Sequence, residues 1–269
     1  MTAAGAVALL VLVALFAPII APHDPAQQFR RDGLAASGLP VGPGAKFWLG
    51  TDGLGRDMFS RLVFGARISL GIGLSASLLS VLIGVMVGGT AAMAGGSIDT
   101  ALMRFVDLVM SMPSLLVILL FVAIIGPSIW ITIAVIVLLG WAYPSRVFRA
   151  EILSVREREF VAAARAIGAG PGRIFVNHIL PQVLPLMIVY ISLGVPNAIF
   201  AEATLGFLGL GVPPPDPAWG GMIQTGTAYY RAAPMQVLIP GGAIVATVIA
   251  FNLVGSALRD ALDPTIEDH

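Results

Sequence analysis

The apolar residues of this chain fall into long uncharged runs, and the charged residues collect between those runs. The runs cover residues 1–22, 68–98, 108–145, 182–201 and 232–258. A helix needs about 20 apolar residues to cross the hydrocarbon core of a bilayer. Four of the five runs are therefore predicted to form one membrane-spanning helix each.

The run at 108–145 is too long for a single crossing. Its 38 residues would form a continuous helix of about 57 Å, close to twice the ~30 Å thickness of the hydrocarbon core. Near its middle, Gly126-Pro127-Ser128 has the composition of a tight turn. We therefore expect two spans joined by a hairpin here, and six membrane-spanning helices in an all-α integral membrane protein.

The composition supports a membrane protein and excludes several other classes. Hydrophobic residues make up 57% of the chain and charged residues 11%, which is about half the charge of an average soluble domain. The chain has no cysteine, so disulfides and thiolate metal sites are excluded. The net charge is zero, and no basic stripe with interleaved aromatic residues supports nucleic-acid binding. No basic segment precedes the first run, so we interpret it as a retained span and not as a signal peptide.

The polar segment between the fourth and fifth predicted spans has the signals of a capped helix. Ser154 and Glu157 have the spacing of a capping box. Gly168 stands where a helix end favours a left-handed residue. These signals predict a helix over residues 155–167.

The predicted helix has one apolar face. Phe160, Ala164 and Ile167 follow one another at i, i+4 and i+7, and Ala163 adjoins them without bulk. Such a face could insert into a groove of a partner protein while nearby charged residues meet the rim. The helix is therefore a candidate docking element, although an ordinary amphipathic surface helix has the same pattern.

No catalytic, cofactor or metal site is predicted. The only lysine, Lys46, lies in G-P-G-A-K-F, which lacks the glycine and the hydroxyl residue that flank the lysine of a P-loop. His23, His178 and His269 lie far apart in the chain, and neither H-E-x-x-H nor G-x-S-x-G occurs. A membrane enzyme is disfavoured, and an ATP-driven function would need an ATPase on another polypeptide.

Three charged residues beside the runs allow more than one interpretation. Arg104 and Asp107 have the i, i+3 spacing of a helical ion pair at the start of the third span. A structural pair is the simpler interpretation, and an ion pathway is the alternative. Glu202 could face a translocation pore or lie at an interfacial helix end.

Small and aromatic residues suggest two packing features. Gly84 and Gly88 lie on one helix face, where they would allow another transmembrane helix to approach closely. The proline-rich segment 213–217 cannot be regular helix, and Trp219 after it would suit the headgroup zone. We expect a short interfacial segment on the outer side of the membrane.

Several ordered segments resemble one family of transport proteins. Ala162-Ala163-Ala164, Gly168 and Leu180-Pro181 have the spacing of the EAA loop of ABC importer permeases. Four further segments are similar to the second, C-type permease of dipeptide, oligopeptide and nickel importers. They are L-F-A-P-I-I-A-P-H-D-P at 15–25, L-G-T-D-G-L-G-R-D-M-F-S-R-L-V-F-G-A-R-I-S-L at 49–70, F-L-G-L-G-V-P-P-P-D-P-A-W-G at 207–220 and A-F-N-L-V-G-S-A-L-R-D-A-L-D-P at 250–264.

The loop departs from the family pattern at two positions. Ala162 stands where the family has a glutamate, and His178 stands where it has an isoleucine. Glu159 lies three residues before Ala162, nearly one helical turn earlier, so it does not occupy the position of the missing carboxylate.

The resemblance implies a fold, a location and a set of partners. The fold would be that of a type I ABC importer permease, with six transmembrane helices and a cytoplasmic coupling-helix loop, in the bacterial inner membrane. The chain would form half of a translocation pore for di- or oligopeptides or nickel, without a cofactor. Its partners would be a homologous permease in a heterodimer, two ABC ATPase subunits and an extracytoplasmic solute-binding protein. The residues that the resemblance assigns to ATPase coupling are Glu159, Phe160, Ala162, Ala163, Ala164, Ile167, Gly168, Leu180 and Pro181.

A stand-alone secondary transporter or channel is the alternative. It predicts intramembrane charges along a path and inverted repeats, and neither is clear in this sequence.

The orientation in the membrane follows from the resemblance and not from charge. With the amino terminus inside, eight basic residues fall on the cytoplasmic side and seven on the other, so the positive-inside rule does not decide. Placing the 146–181 loop beside an ATPase makes the amino terminus cytoplasmic. The predicted organisation is a first transmembrane helix at 1–22, an extracytoplasmic loop at 23–67 and a permease core at 68–269 that contains the coupling loop 146–181.

Overall fold

The computed structural model describes residues 3–262. Residues 1–2 of the first predicted span, His269, and residues 263–264 of the closing motif lie outside the described residues. Within 3–262 the regular secondary structure is helical, and no strand is formed. The helices are α1 Ala3–Leu15, α2 Ala17–Ile20, α3 Met58–Ala94, α4 Gly96–Ser111, α5 Ser114–Ile125, α6 Ile129–Gly140, α7 Ala142–Arg156, α8 Glu159–Ala166, α9 Pro171–Ile174, α10 Leu180–Phe207, α11 Trp219–Gly226 and α12 Met235–Leu262.

Every uncharged run becomes helix, but the number of spans depends on how bent helices are counted. Among the described residues, three helical stretches are long and apolar enough to cross a membrane alone: Met58–Ala94, Pro171–Phe207 and Met235–Ala261. The second stretch includes α9 and α10, which the π-helical turn Phe175–Ile179 joins. Two bent pairs, α4 with α5 and α6 with α7, raise the number to five if each pair is one span. Helix α1 has 13 residues, about 20 Å of helix, which is shorter than the hydrocarbon core. Six spans therefore remain a prediction.

The hairpin expected within 108–145 is present, but its first helix, α5, begins at Ser114 and not at residue 108. Helix α5 ends at Ile125, Gly126 has φ of 102°, and the Ser128 side chain caps α6 by accepting a hydrogen bond from the backbone N–H of Ile131 at 3.1 Å. Residues 108–111 belong to α4, which meets α5 at an 82° bend. The bend falls at Met112-Pro113, where the extended conformation before proline ends α4.

Helix α3 is the central element of the fold. It begins at Met58, so residues 58–67 of the segment predicted as an extracytoplasmic loop are helical. The Asp57 carboxylate caps its amino terminus by accepting hydrogen bonds from the backbone N–H and the hydroxyl of Ser60. Helices α7 and α10 pack along its length.

The glycine face of α3 packs against α7 of the same chain. A Cβ added at Gly84 would lie 2.7 Å from the Cβ of Pro144, and one added at Gly88 would overlap the carbonyl oxygen of Ser145. The predicted close helix approach is therefore confirmed. Because α7 of the same chain occupies this face, Gly84 and Gly88 are not available for contact with a partner subunit.

The irregular segment before α3 is held by buried ionic contacts. The Asp52 carboxylate accepts a hydrogen bond from Arg56 Nε at 2.7 Å and lies 3.3 Å from Arg61 Nε, and all three side chains are buried. Packing of the Phe29 and Phe47 rings, with centroids 5.1 Å apart, adds an apolar centre. This segment is a folded cap over one end of the helices.

Candidate functional site

The predicted 155–167 helix is two helices in the structure. Helix α7 continues to Arg156, and α8 begins only at Glu159, after Arg158 adopts an extended conformation with φ of −72° and ψ of 151°. Ser154 lies in the last turn of α7, and Glu157 follows that helix as its C-cap, so the predicted capping box is wrong. The end of α7 is fixed by tertiary contacts, because Arg156 donates a hydrogen bond at 2.6 Å to the Ala92 carbonyl of α3.

The end of α8 matches the prediction. Gly168 has φ of +87°, in the left-handed region that glycine adopts without steric cost. The backbone N–H of Ala169 bonds to the carbonyl of Ala164, and that of Gly168 bonds to the carbonyl of Arg165, each at 3.0 Å. This pair of bonds is a Schellman motif, which satisfies carbonyls at the end of the helix.

The apolar face predicted for the loop helix is wrong. Ala164 points into a buried cluster that also contains Val161, Phe148 and Ile152. Phe160 and Ile167 point away from it, with exposed fractions of 39% and 87%. Val161 was not predicted to lie on the buried side, although its i, i+3 spacing to Ala164 was the available signal.

The sequence-predicted coupling residues thus divide into an exposed and a buried set. The exposed set, here called the α8 patch, is Glu159, Phe160, Ala162, Ala163, Ile167 and Gly168. Ala164 is buried, and Leu180 at the start of α10 packs against the same cluster. Pro181 is exposed in the first turn of α10, away from α8 in the chain. The structure therefore presents a short helix with an anchored inner side and an accessible outer side.

Ion pairs join α4 to α7, the helix that leads to the α8 patch. Asp107 pairs with Arg146, so the predicted pair between Asp107 and Arg104 is wrong. Asp99 pairs with Arg149 in the same way. Asp107 can pair with Arg104 on its own helix or with an arginine on a neighbouring helix. Because α4 packs beside α7, Arg146 of α7 is the partner in the structure.

Glu202 lies at the centre of a buried polar cluster. Its side chain is fully buried in α10, and its Oε2 accepts a hydrogen bond from the Ser69 hydroxyl of α3 at 2.9 Å. Ser69 Oγ in turn accepts the backbone N–H of Trp219 at 3.3 Å. Glu202 therefore neither faces a pore nor ends a helix at the interface, contrary to both interpretations of the sequence.

Trp219 is also buried, with 1% of its surface exposed, and its indole N–H donates to the Leu62 carbonyl at 3.0 Å. The expectation of a headgroup position for this residue is wrong. The cluster of Glu202, Ser69 and Trp219 joins α10, α3 and α11 into one unit.

A cleft of about 590 Å³, lined mainly by apolar residues with some polar ones, opens between α3, α5, α6, α7, α10 and α12. Ser77, Tyr143, Asn197 and Arg259 are among the residues that line it. This cleft was not predicted from the sequence, because its residues come from six helices and share no local motif. In the part of the chain that the structure describes, no three His, Asp or Glu residues group in a way that could hold a metal ion.

Comparison with known proteins identifies two families whose sequences match this chain. Residues 80–268 match the family described as the binding-protein-dependent transport system inner membrane component, and residues 1–36 match the N-terminal TM domain of oligopeptide transport permease C.

Named relatives align over almost the whole chain. The di/tripeptide transport system permease protein DppC of Pseudomonas aeruginosa is 41% identical over 97% of this chain and 86% of its own length. The nickel transport system permease protein NikC of Escherichia coli is 41% identical over 96% of this chain and 91% of its own. The oligopeptide transport system permease protein OppC of Bacillus subtilis is 37% identical over 97% and 83%.

The fold is also that of a solved importer. A chain of the MetNI methionine ABC transporter, in an inward facing conformation, superposes with a TM-score of 0.62 over 77% of this chain and 98% of its own, at 17% identity. That likeness supports the fold alone. The type I permease fold expected from the sequence is confirmed.

The chain belongs to the family of binding-protein-dependent transport system inner membrane components. It is a multi-pass inner membrane protein and a permease subunit of an ABC importer, as the resemblance implied. Its relation to the C-type permeases is confirmed by DppC, NikC and OppC. Membership implies an ATPase and a solute-binding protein as partners.

Proposed function

We propose that this chain forms half of the translocation pore of an ATP-driven importer of peptides or nickel. A homologous permease would supply the other half. The names of DppC, OppC and NikC state transport of di- or tripeptides, oligopeptides and nickel, respectively. The alignment with each of them covers at least 96% of this chain. This full-length similarity is the main support for the substrate range.

The energy source in this proposal lies on separate ATPase subunits. Lys46, the only lysine of the chain, lies outside any P-loop pattern. The Lys46 ammonium group forms an ion pair with the Asp32 carboxylate, with Nζ and Oδ2 2.6 Å apart. Lys46 therefore has a structural partner within the chain. ATP-driven movement of the ATPases would switch the pore between inward and outward access, as a ligand biases a two-state element.

The α8 patch would transmit that movement. The exposure of two apolar side chains of the α8 patch, Phe160 at 39% and Ile167 at 87%, carries this assignment, because exposed apolar residues with a polar rim are typical of a protein–protein contact. Val161 and Ala164 anchor the opposite side of α8 in the buried cluster, so a push on the patch would reach α7 and α10. The polar rim would come from Arg158, Glu159 and Arg165.

Reconstitution of the complete importer tests the proposal. Liposomes that contain this permease, its homologous partner, the ATPases and the binding protein should import a di- or oligopeptide, or Ni²⁺, only when ATP is present. Liposomes that contain this chain alone should import neither. Import by the chain alone under an ion gradient would contradict the proposal and support a secondary transporter or channel.

Crosslinking tests the contact with the ATPase. Because the chain has no cysteine, Ala163→Cys introduces a single thiol on the exposed side of α8. It should crosslink to the ATPase subunit in the assembled complex. Ser37→Cys, an exposed position in the segment before α3, is the matched control and should not. An equal yield at both positions would remove the α8 patch from the interface.

A further inference from the structure

The long helical stretch that follows the α8 patch contains one turn of unusual width. Within Pro171–Phe207, residues Phe175–Ile179 form a π-helix, here called the π turn. The backbone N–H of Leu180 donates to the carbonyl of Phe175, five residues earlier, whereas an α-helix uses the carbonyl four residues earlier. Such turns are rare and occur often at functional sites. The helix therefore holds one extra residue between α9 and α10.

Pro181, directly after the π turn, explains why the wide geometry forms at this place. Proline has no backbone N–H, so in a regular α-helix the carbonyl of Asn177, four residues earlier, would have no donor. The proline ring would also clash with that carbonyl. A widened turn before Pro181 relieves this conflict, because the carbonyl is moved out of the α-helical arrangement. The π turn is therefore a consequence of the local sequence.

The burial pattern of the segment fits the extra residue. Ile174 and Ile179 are five positions apart, and both side chains lie in the same buried cluster. In an α-helix, five positions would place two side chains about 140° apart around the axis. Val176 and Asn177, between them, are exposed. The π turn therefore keeps both isoleucines on the inner side and places the extra residue on the outer side.

The π turn has a fixed contact on one side and α8 on the other. A Cβ added at Gly89 would lie 2.9 Å from Cε2 of Phe175, so the Phe175 ring packs closely on the backbone of α3. Val161 and Ala164 of α8 belong to the same buried cluster as the inner side of the π turn. The π turn thus lies between the anchored side of α8 and the long helix α10.

We propose that the π turn is the hinge through which movement of α8 reaches α10. The inference rests on the coupling role proposed above for the α8 patch and names the element that moves. The Leu180 N–H has two possible acceptors, the carbonyl of Phe175 in the π arrangement and that of Val176 in the α arrangement. Exchange between them rotates α10 relative to α9 without breaking the helix, while Phe175 stays on Gly89. A switch needs such a pair of discrete arrangements.

Deletion of the exposed Asn177 tests the hinge in the reconstituted importer. It removes the extra residue and leaves Ile174 and Ile179 four positions apart, on one face of an α-helix, so the complex should still assemble. ATP-driven uptake should fall severalfold, and more ATP should be hydrolysed per solute imported. Asn177→Ala keeps the chain length and should match the wild type in both measurements. Wild-type uptake by the assembled deletion variant overturns the hinge.

Hydrogen–deuterium exchange of the wild-type complex gives a second measurement that does not depend on the deletion variant folding. The amides of the π turn and of Leu180 should exchange at different rates in the nucleotide-free complex and in the complex with the non-hydrolysable analogue AMP-PNP. The amides of α3 around Gly84, where α7 packs closely, should not differ. Equal exchange of the π turn in both states overturns the inference even if import is normal. Failure of the wild-type complex to import any solute with ATP would instead overturn the proposed function.

Discussion

A single buried carboxyl group, that of Glu202, connects three helices at the residue scale. Its Oε2 accepts a hydrogen bond from the Ser69 hydroxyl, and Ser69 Oγ accepts a hydrogen bond from the backbone N–H of Trp219. Ser69 and Glu202 are separated by 133 positions in the chain. Because buried polar groups are costly when they lose their partners, this connection should matter more for stability than any exposed charge.

Replacing Glu202 should separate the hydrogen bond from the effect of size. Glu202→Ala removes the acceptor and leaves a void, so we expect it to lower the stability of the assembled complex by about 2–4 kcal/mol. Glu202→Gln keeps an acceptor oxygen at similar volume and should cost less than half of that. Thermal unfolding in detergent measures both, with the exposed Glu159→Ala as the control. Equal losses in the Gln and Ala variants would show that the Ser69 bond contributes nothing.

At the scale of one element, the carboxyl-terminal end of α8 depends on the backbone conformation of Gly168. Gly168 and Gly170 both have open space where a Cβ would be added, with no heavy atom within 4 Å. Their backbones differ, because φ is +87° at Gly168 and −69° at Gly170. A side chain is therefore strained at the first position and tolerated at the second.

This difference provides a matched pair of variants for the coupling helix. Gly168→Val should disfavour the Schellman motif by roughly 1–2 kcal/mol and displace Ile167, so we expect ATP-driven uptake to fall at least severalfold while complex assembly is kept. Gly170→Val should leave uptake near the wild-type level. Uptake and the amount of assembled complex are measured together. Similar uptake by the two variants would argue against a role for the geometry of the α8 end.

Ala164 is a poor position for the same test. Because its side chain is 5% exposed within the buried cluster, a large residue there would damage the fold and the coupling together.

At the scale of the whole molecule, basic residues are almost equally divided between the two sides of the membrane, so the orientation is tested directly by labelling. The absence of cysteine makes single-thiol labelling clean. Ser37, Arg158 and Asp216 are exposed positions in three different connecting segments. Ala218 is unsuitable for labelling, since it is only 3% exposed.

With a cytoplasmic amino terminus, an impermeant maleimide added to intact cells should label Ser37→Cys and Asp216→Cys but not Arg158→Cys. Permeabilised cells should allow all three to react, which controls for local accessibility. Labelling of Arg158→Cys from outside would invert the topology and separate the α8 patch from any cytoplasmic ATPase.

Local sequence determined the features that depend on composition and backbone preference. The uncharged runs predicted where helices form, since apolar length alone suits a bilayer. The turn at Gly126 and the helix end at Gly168 were predictable because each needs a residue that tolerates positive φ. Similarity over nearly the whole chain was sufficient for the family.

Only the tertiary structure decided which side chains meet. The inward turn of Ala164, the pairing of Asp107 with Arg146 and the burial of Glu202 all depend on residues far away in the chain. The cleft of about 590 Å³ likewise brings together residues of six helices. Helical periodicity places a residue on one side of its own helix, but the packing of neighbouring helices determines what that side contacts.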